Sequence, residues 1–374
     1  DGETTNTAHT HKRRMSSTQP PVVSSQDSST QAETSVEERM DTAGLCTAVG
    51  NTPLVEVPSL SALTGCRIMA KLEQLNPGGS VKDRAALWMV RQAERTGKLR
   101  PGDTIVEGTG GNTGIGLAWV AAARGYKALF TMPESIAREK IELMRTLGAE
   151  VILTPPVPFS DARHYYWQAS RIAAERPAHV FMNQFENLCN SAAHYESTAP
   201  EIWTQCGERG LDAFVAAAGT GATLAGCARY FTERRPDVRI CLVDPPGSGL
   251  FDRVRRGKAH EQAGEVAGVP LTWLPRSEGS SITEGIGIGR LTANMRSGLD
   301  LVRHAFQVTD QAVLDMAYHV MRCDGLFVGP SAALNLCGAV LTAAELPPGS
   351  TVVTVICDGG DRYRSKMYSQ EWLA

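Results

Sequence analysis

From about Ala43 onward, short runs rich in β-branched residues alternate with longer stretches of helical periodicity. The pattern predicts strands over Thr104 to Glu107, Ala128 to Met132, Glu150 to Thr154, Ala213 to Ala218, Val238 to Val243, Leu326 to Val328 and Thr351 to Cys357. Helices are expected over Gly114 to Arg124, Ser135 to Leu147, Thr223 to Phe231, Asp310 to Met321 and Ala332 to Leu341, with Gly125 and Gly148 closing the first two. Such alternation implies an α/β fold: mainly parallel, twisted sheets flanked by helices. In such sheets ligands sit beyond the carboxyl ends of the strands, where turns enter helices. Pro245 to Ser281, rich in Gly, Pro and charge, reads as a surface excursion.

At 374 residues, the chain is long enough for one large or two medium domains. A net charge of −3 gives no global field favouring nucleic acid or an anionic membrane. No apolar run approaches the roughly 20 residues needed to span a bilayer. The nine cysteines are odd in number, none spaced Cys-x-x-Cys, and several lie in apolar runs such as Ile240-Cys241-Leu242-Val243. That suggests free thiols in a reducing compartment and no zinc site. Residues 1–42 are Ser-, Thr-, Gln- and Glu-rich and are expected to be disordered. The chain opens with Asp1, so a segment upstream is expected to have been removed or left out. His11 to Ser17 is basic and hydroxylated like a transit peptide, but Asp27, Glu33, Glu37 and Glu38 argue against that reading for the rest.

Four turns stand out. The first, Asn76 to Arg84, places Lys82 at the start of a helical pattern. The helix dipole disfavours a cation there and should push the amine toward its neutral, nucleophilic form. The alternative is a solvated surface lysine. The second turn, Glu107-Gly108-Thr109-Gly110-Gly111-Asn112-Thr113-Gly114, offers backbone N–H groups and threonine hydroxyls to an anion such as a carboxylate. It could equally be shaped for helix–sheet packing. The third, Gly219-Thr220-Gly221-Ala222-Thr223, has the same construction and suits a phosphate. It lacks the Gly-Lys-Ser/Thr of a Walker sequence, but Asp244 lies where a dinucleotide-binding turn would want an acid, so that alternative stays open. In the fourth, Ser331 occupies an expected N-cap position. Two anion cradles, a suppressed lysine and a polar cap along one sheet edge would suit pyridoxal phosphate.

These blocks resemble those of the cysteine synthase/cystathionine β-synthase family, fold-type II pyridoxal-phosphate enzymes. They are Asn76 to Arg84, Thr109 to Gly114, Asn183-Gln184-Phe185-Glu186-Asn187, Gly219 to Thr223, Glu284-Gly285-Ile286-Gly287 and Gly329 to Ala333. The similarity runs from Asn51-Thr52-Pro53-Leu54 to Asp358-Gly359-Gly360-Asp361-Arg362-Tyr363.

The resemblance implies pyridoxal 5'-phosphate as cofactor. Lys82 would be the Schiff-base lysine that also abstracts the substrate α-proton. Asn112 would face the cofactor's ring oxygen. Gly219, Thr220, Gly221, Ala222 and Thr223 would hold the phosphate, and Ser331 would face the pyridine nitrogen. Thr109, Gly110, Asn112, Thr113, Gln184 and Gly285 would line the substrate. The implied reaction forms L-cysteine from O-acetylserine and sulfide through an aminoacrylate intermediate. Cystathionine β-synthase chemistry (serine plus homocysteine) is the runner-up. A silent homologue and an oxidoreductase are weaker alternatives. A homodimer, possible docking of serine acetyltransferase, and a cytoplasmic or mitochondrial location are also implied. Residues 43–82 and 191–374 would form the larger, cofactor-holding domain, and 83–190 a smaller one that closes on substrate.

The chain departs from the family pattern at Gly110, where serine is usual, at Ala222 and at Ala333, where glycine is usual. These variants look most like a eukaryotic, often fungal, branch.

Overall fold

The computed structural model describes residues 44–373 other than 137, 278 and 280. The segment expected to be disordered, residues 1–42, lies outside them. In chain order the strands are β1 (Leu54–Glu56), β2 (Arg67–Leu72), β3 (Thr104–Gly108), β4 (Lys127–Pro133), β5 (Glu150–Thr154), β6 (His179–Phe181), β7 (Ala213–Ala216), β8 (Arg239–Asp244), β9 (Gln262–Val266), β10 (Val269–Trp273), β11 (His304–Gln307) and β12 (Thr351–Ile356).

They form a six-stranded sheet, β1-β2-β12-β7-β8-β11, and a four-stranded sheet, β5-β4-β3-β6. The four-stranded sheet is parallel throughout. The larger sheet is parallel except where β1 meets β2. The expected α/β class is therefore observed.

Burial on both faces explains why these strands read as near-continuous apolar runs. In β7, Phe214 and Ala216 join one core layer with Phe231 and Leu242, while Ala213 and Val215 join the other with Leu334 and Leu336. In the smaller sheet Ile105 and Phe130 pack with Met89 and Leu117, whereas Val106 and Leu129 meet Ala169 on the opposite face. Each fully buried Leu, Ile or Phe contributes about 1.5–3 kcal/mol. The scaffold behind the turns is thus rigid.

Most predicted elements are present within one to three residues, and two expectations need correction. Leu326 to Val328 is not a strand. Val328 makes an isolated bridge to Gly359, and Gly360 N–H donates to Phe327 O (3.2 Å), so the segment latches the turn after β12 without entering the sheet. Ser331 is not the N-cap. Gly329 is, and the helix Pro330–Ala343 begins at the proline, which suits a first helical position. Within Pro245 to Ser281 lie the helix Leu250–Arg256 and the β9–β10 hairpin, whose Val266, Leu271 and Trp273 pack with Phe159, Tyr166 and Trp167. The region is thus an excursion at the surface with secondary structure of its own.

Among the described residues no helix is long and apolar enough to cross a membrane, and no cluster could hold a metal ion. All nine cysteines are free thiols, with Cys323 exposed.

Candidate active site

β2 leads through the Asn76–Val81 turn into the helix Lys82–Arg95. Asp83 folds back so that its Oδ2 accepts the Gly78 N–H at 2.6 Å, and burial pushes its carboxyl up to about 6. The next residue, Arg84, lies in a buried ion network. Its guanidinium meets Glu73 (2.8 Å) and Glu201 (2.7 Å), and Lys71 Nζ reaches Glu201 (2.7 Å). This network fixes the helix start on which Lys82 stands.

Lys82 lines a cavity of about 280 Å³. Its pKa is lowered chiefly by desolvation, against an upward pull from Cys357 and Asp358. Burial in a cavity wall is thus the leading cause, one that the helix start seen in the sequence did not reveal. Among the described residues its Nζ has no hydrogen-bond partner, so the amine is open to react.

β3 leads into the helix Asn112–Arg124 through Thr109, Gly110 and Gly111. Glu107, at the end of β3, organises this turn: one oxygen accepts the Gly108 N–H (3.0 Å), the other the Gln184 N–H (3.1 Å). Thr113 Oγ1 donates to Gln184 Oε1 at 2.6 Å. Thr109, Gly110, Asn112, Thr113 and Gln184 accordingly line the same cavity as Lys82. Gly110 has a steric reason. A Cβ there would lie 2.5 Å from Ile136, which occupies the space a serine would need.

β7 leads into the helix Ala222–Arg234, whose first-turn N–H groups point outward unsatisfied by the helix itself. Thr220 and Gly285 line the Lys82 cavity, and Gly219, Gly221, Ala222 and Thr223 line a narrow cleft that also contains Lys82. Gly219 is forced, because a Cβ would sit 2.0 Å from the Gly285 carbonyl oxygen. Ala222 does not take a positive φ, so its methyl is tolerated. Behind the turn, His194 is fully buried, with Nε2 3.1 Å from Thr223 Oγ1 and Nδ1 2.9 Å from Thr198 Oγ1. Desolvation holds it well below the ordinary histidine range, so it is neutral. Ser331 reaches the cavity from the first turn of the helix Pro330–Ala343.

The proposed cofactor and substrate residues thus line either the Lys82 cavity or the narrow cleft that also contains Lys82. Sequence reasoning missed Tyr165, Lys140, Glu284 and Tyr363, which also line the cavity. Tyr165 and Lys140 carry no local motif, whereas Glu284 stood beside the glycine already noted. Asp244 is fully buried, and its Oδ2 accepts the Phe251 N–H at 2.8 Å. It caps the next helix and is not presented to a nucleotide ribose.

A lysine in a cavity wall, two N–H-rich turns that follow strands of two different sheets, and a serine in the first turn of a helix define a class of protein, and the comparisons agree. A family model described as pyridoxal-phosphate dependent enzyme matches residues 45–358, and the chain belongs to that family. It is 46% identical over 331 residues to cysteine synthase 1 of Neurospora crassa, covering 88% of this chain and 84% of that one. It is 38% identical to cystathionine beta-synthase of Mus musculus, over 87% of this chain and 55% of the relative. The fold is similar to the crystal structure of an O-acetylserine dependent cystathionine beta-synthase from Helicobacter pylori, with TM-score 0.74, 35% identity, and coverage of 87% of this chain and 97% of that one.

The residues fit the family's cofactor on their own chemistry. An unpaired amine suits its aldehyde, orphaned N–H groups at a helix start suit its phosphate, and a serine hydroxyl suits its ring nitrogen.

Proposed function

We propose that this chain catalyses pyridoxal-phosphate-dependent β-replacement, making L-cysteine from O-acetylserine and sulfide. The observation that carries the reading is the convergence of Lys82, the Thr109–Thr113 turn with Gln184, and the Gly219–Thr223 turn on one cavity, in a chain similar to proteins named cysteine synthase. When bound, the cofactor supplies an electron sink that acidifies the substrate's α-hydrogen.

Lys82 Nζ would hold the cofactor through its aldehyde carbon and would accept the substrate's α-proton. Desolvation lowers its pKa and so shifts the free amine toward the uncharged form that a proton acceptor needs. The N–H groups and hydroxyls of Thr109 to Thr113, with Gln184, bind and orient the substrate carboxylate. The Gly219–Thr223 turn would hold the cofactor phosphate, and neutral His194, bonded to the Thr223 hydroxyl, would add no charge there. Ser331 would serve the pyridine nitrogen with a hydroxyl too weakly acidic to keep it protonated, which would favour expulsion of a β-leaving group over transamination. Closure of residues 83–190 over the substrate would exclude water. A homodimer, docking of serine acetyltransferase, and a reducing cytoplasmic or mitochondrial location belong to the same proposal. The free thiols support the last of these.

A second reading, transfer to homocysteine, is favoured by one observation. The cavity opens past Tyr165, Phe185, Gly285 and Ile286 into a space of about 570 Å³, far more than sulfide requires. Measuring kcat/KM for O-acetylserine plus sulfide against serine plus homocysteine decides. A higher value for the second pair would overturn the first reading, and no turnover with either would indicate a silent homologue.

A further inference from the structure

Asn112 is gripped at both ends of its amide. Its Nδ2 donates to Asp358 Oδ2 at 2.7 Å, and its Oδ1 accepts from Arg362 Nη1. Arg362 decides which end is which, because a guanidinium only donates and the amide oxygen must face it. The nitrogen therefore faces Asp358, and its second N–H remains for the cavity that Asn112 lines.

The grip is itself braced. Asp358 is fully buried, and Tyr363 OH donates to the same Oδ2 at 2.7 Å. Arg362 Nη2 also donates to the Gly78 carbonyl, in the turn that carries Lys82. A single short segment after β12 thus ties the Lys82 turn to the Asn112 turn across the two sheets. Gly329 passes so close that a Cβ there would lie 2.1 Å from Asp358 Oδ1, so only glycine fits beside the carboxylate in this position.

We propose that Asp358 and Arg362 are positioning residues that fix the Asn112 amide with an N–H donor, not its carbonyl, toward the ring oxygen of the bound cofactor. A flipped amide would set oxygen against oxygen and favour the protonated, shorter-wavelength form of the ring. The inference rests on the reading that Lys82 and Asn112 hold the cofactor.

The test is the absorbance spectrum of the purified holoenzyme. Asn112→Ala and Asp358→Ala should each move the cofactor's visible band to shorter wavelength. The double variant should match Asn112→Ala alone, because Asp358 acts through the amide. A merely structural or electrostatic role, such as an effect of Asp358 on Lys82, would add to the Asn112 effect instead. An unmoved band in Asp358→Ala, or additive shifts, overturns the inference. If Asp358→Ala fails to fold, Arg362→Met, which keeps the buried carboxylate, takes its place in the same cycle with the same two outcomes. Lys82→Ala separates the two layers. A chromophore still covalently bound in that variant sinks the underlying reading, whereas its loss together with additive shifts sinks only the inference.

Discussion

Thr113 Oγ1 donates to Gln184 Oε1 at 2.6 Å, joining the turn after β3 to the turn after β6. Both residues are buried, at 3% and 6% exposure, and Gln184 Nε2 also donates to the Gly108 carbonyl at 3.3 Å. The proposed carboxylate site is therefore built from two segments that hold each other's donors in place. Thr113→Val keeps the shape and leaves Gln184 Oε1 unpaired, a cost of about 1–3 kcal/mol. We expect KM for O-acetylserine to rise about tenfold, the equivalent of ~1.4 kcal/mol, and Thr113→Ser to stay near wild type. Steady-state kinetics on the three proteins check this, and a silent valine variant would remove Thr113 from the site.

Glu107 is fully buried at the base of the same turns, and desolvation pushes its carboxyl up to about 8 from an ordinary 4.5. A group with a raised folded pKa takes up a proton on folding. Its contribution to stability therefore declines as pH rises from about 4.5 to about 8 and levels off above. Glu107→Gln removes that titration. Relative to wild type, its Tm should improve between pH 5 and pH 9. Parallel Tm profiles for the two proteins would contradict the assignment.

At Gly110 the obstacle to serine is Ile136, 2.5 Å from where a Cβ would stand. Gly110→Ser alone should weaken O-acetylserine binding, because the turn or Ile136 must shift. Adding Ile136→Ala should restore affinity or improve it, the extra hydroxyl then finding room. An unrescued double variant, measured by substrate-induced spectral change, would show that backbone conformation and not Ile136 excludes the side chain.

The Glu73–Arg84 pair is fully buried. Removing one partner strands the other, at about 3–5 kcal/mol. Arg84→Met should lower unfolding free energy by that amount, and Arg84→Met with Glu73→Gln should recover part of it. Denaturant titration distinguishes this from a simple packing loss, which the second substitution would not repair.

The fold was legible wherever one element spoke for itself. β3 and β5 are short runs containing Val and Ile, β4 is an apolar run around Leu129 and Phe130, and glycine-closed helices separate them, so their boundaries follow from that local pattern. The turns were legible because phosphate- and carboxylate-binding backbone needs glycine and hydroxyl residues at fixed places. Long-range contacts were not. Leu326 to Val328 looked like a strand, yet its partner is the turn at Gly359, which no local pattern reveals. Likewise the closure of Asn112 by Asp358 and Arg362 joins residues 246 and 250 positions apart. Tyr165 enters the cavity from a helix that reads as ordinary and amphipathic. The lowered pKa of Lys82 was anticipated from its helix start, but not the desolvation that leads it, since a sequence does not show the enclosure around a residue.

The central claim is that Lys82 Nζ holds the cofactor. Borohydride reduction of the purified holoenzyme, followed by peptide mass spectrometry, tests it most directly. The account predicts a reduced pyridoxyl phosphate adduct on the peptide containing Lys82, absent from Lys82→Ala. An adduct on any other lysine, or none on a protein that carries the cofactor, would contradict it.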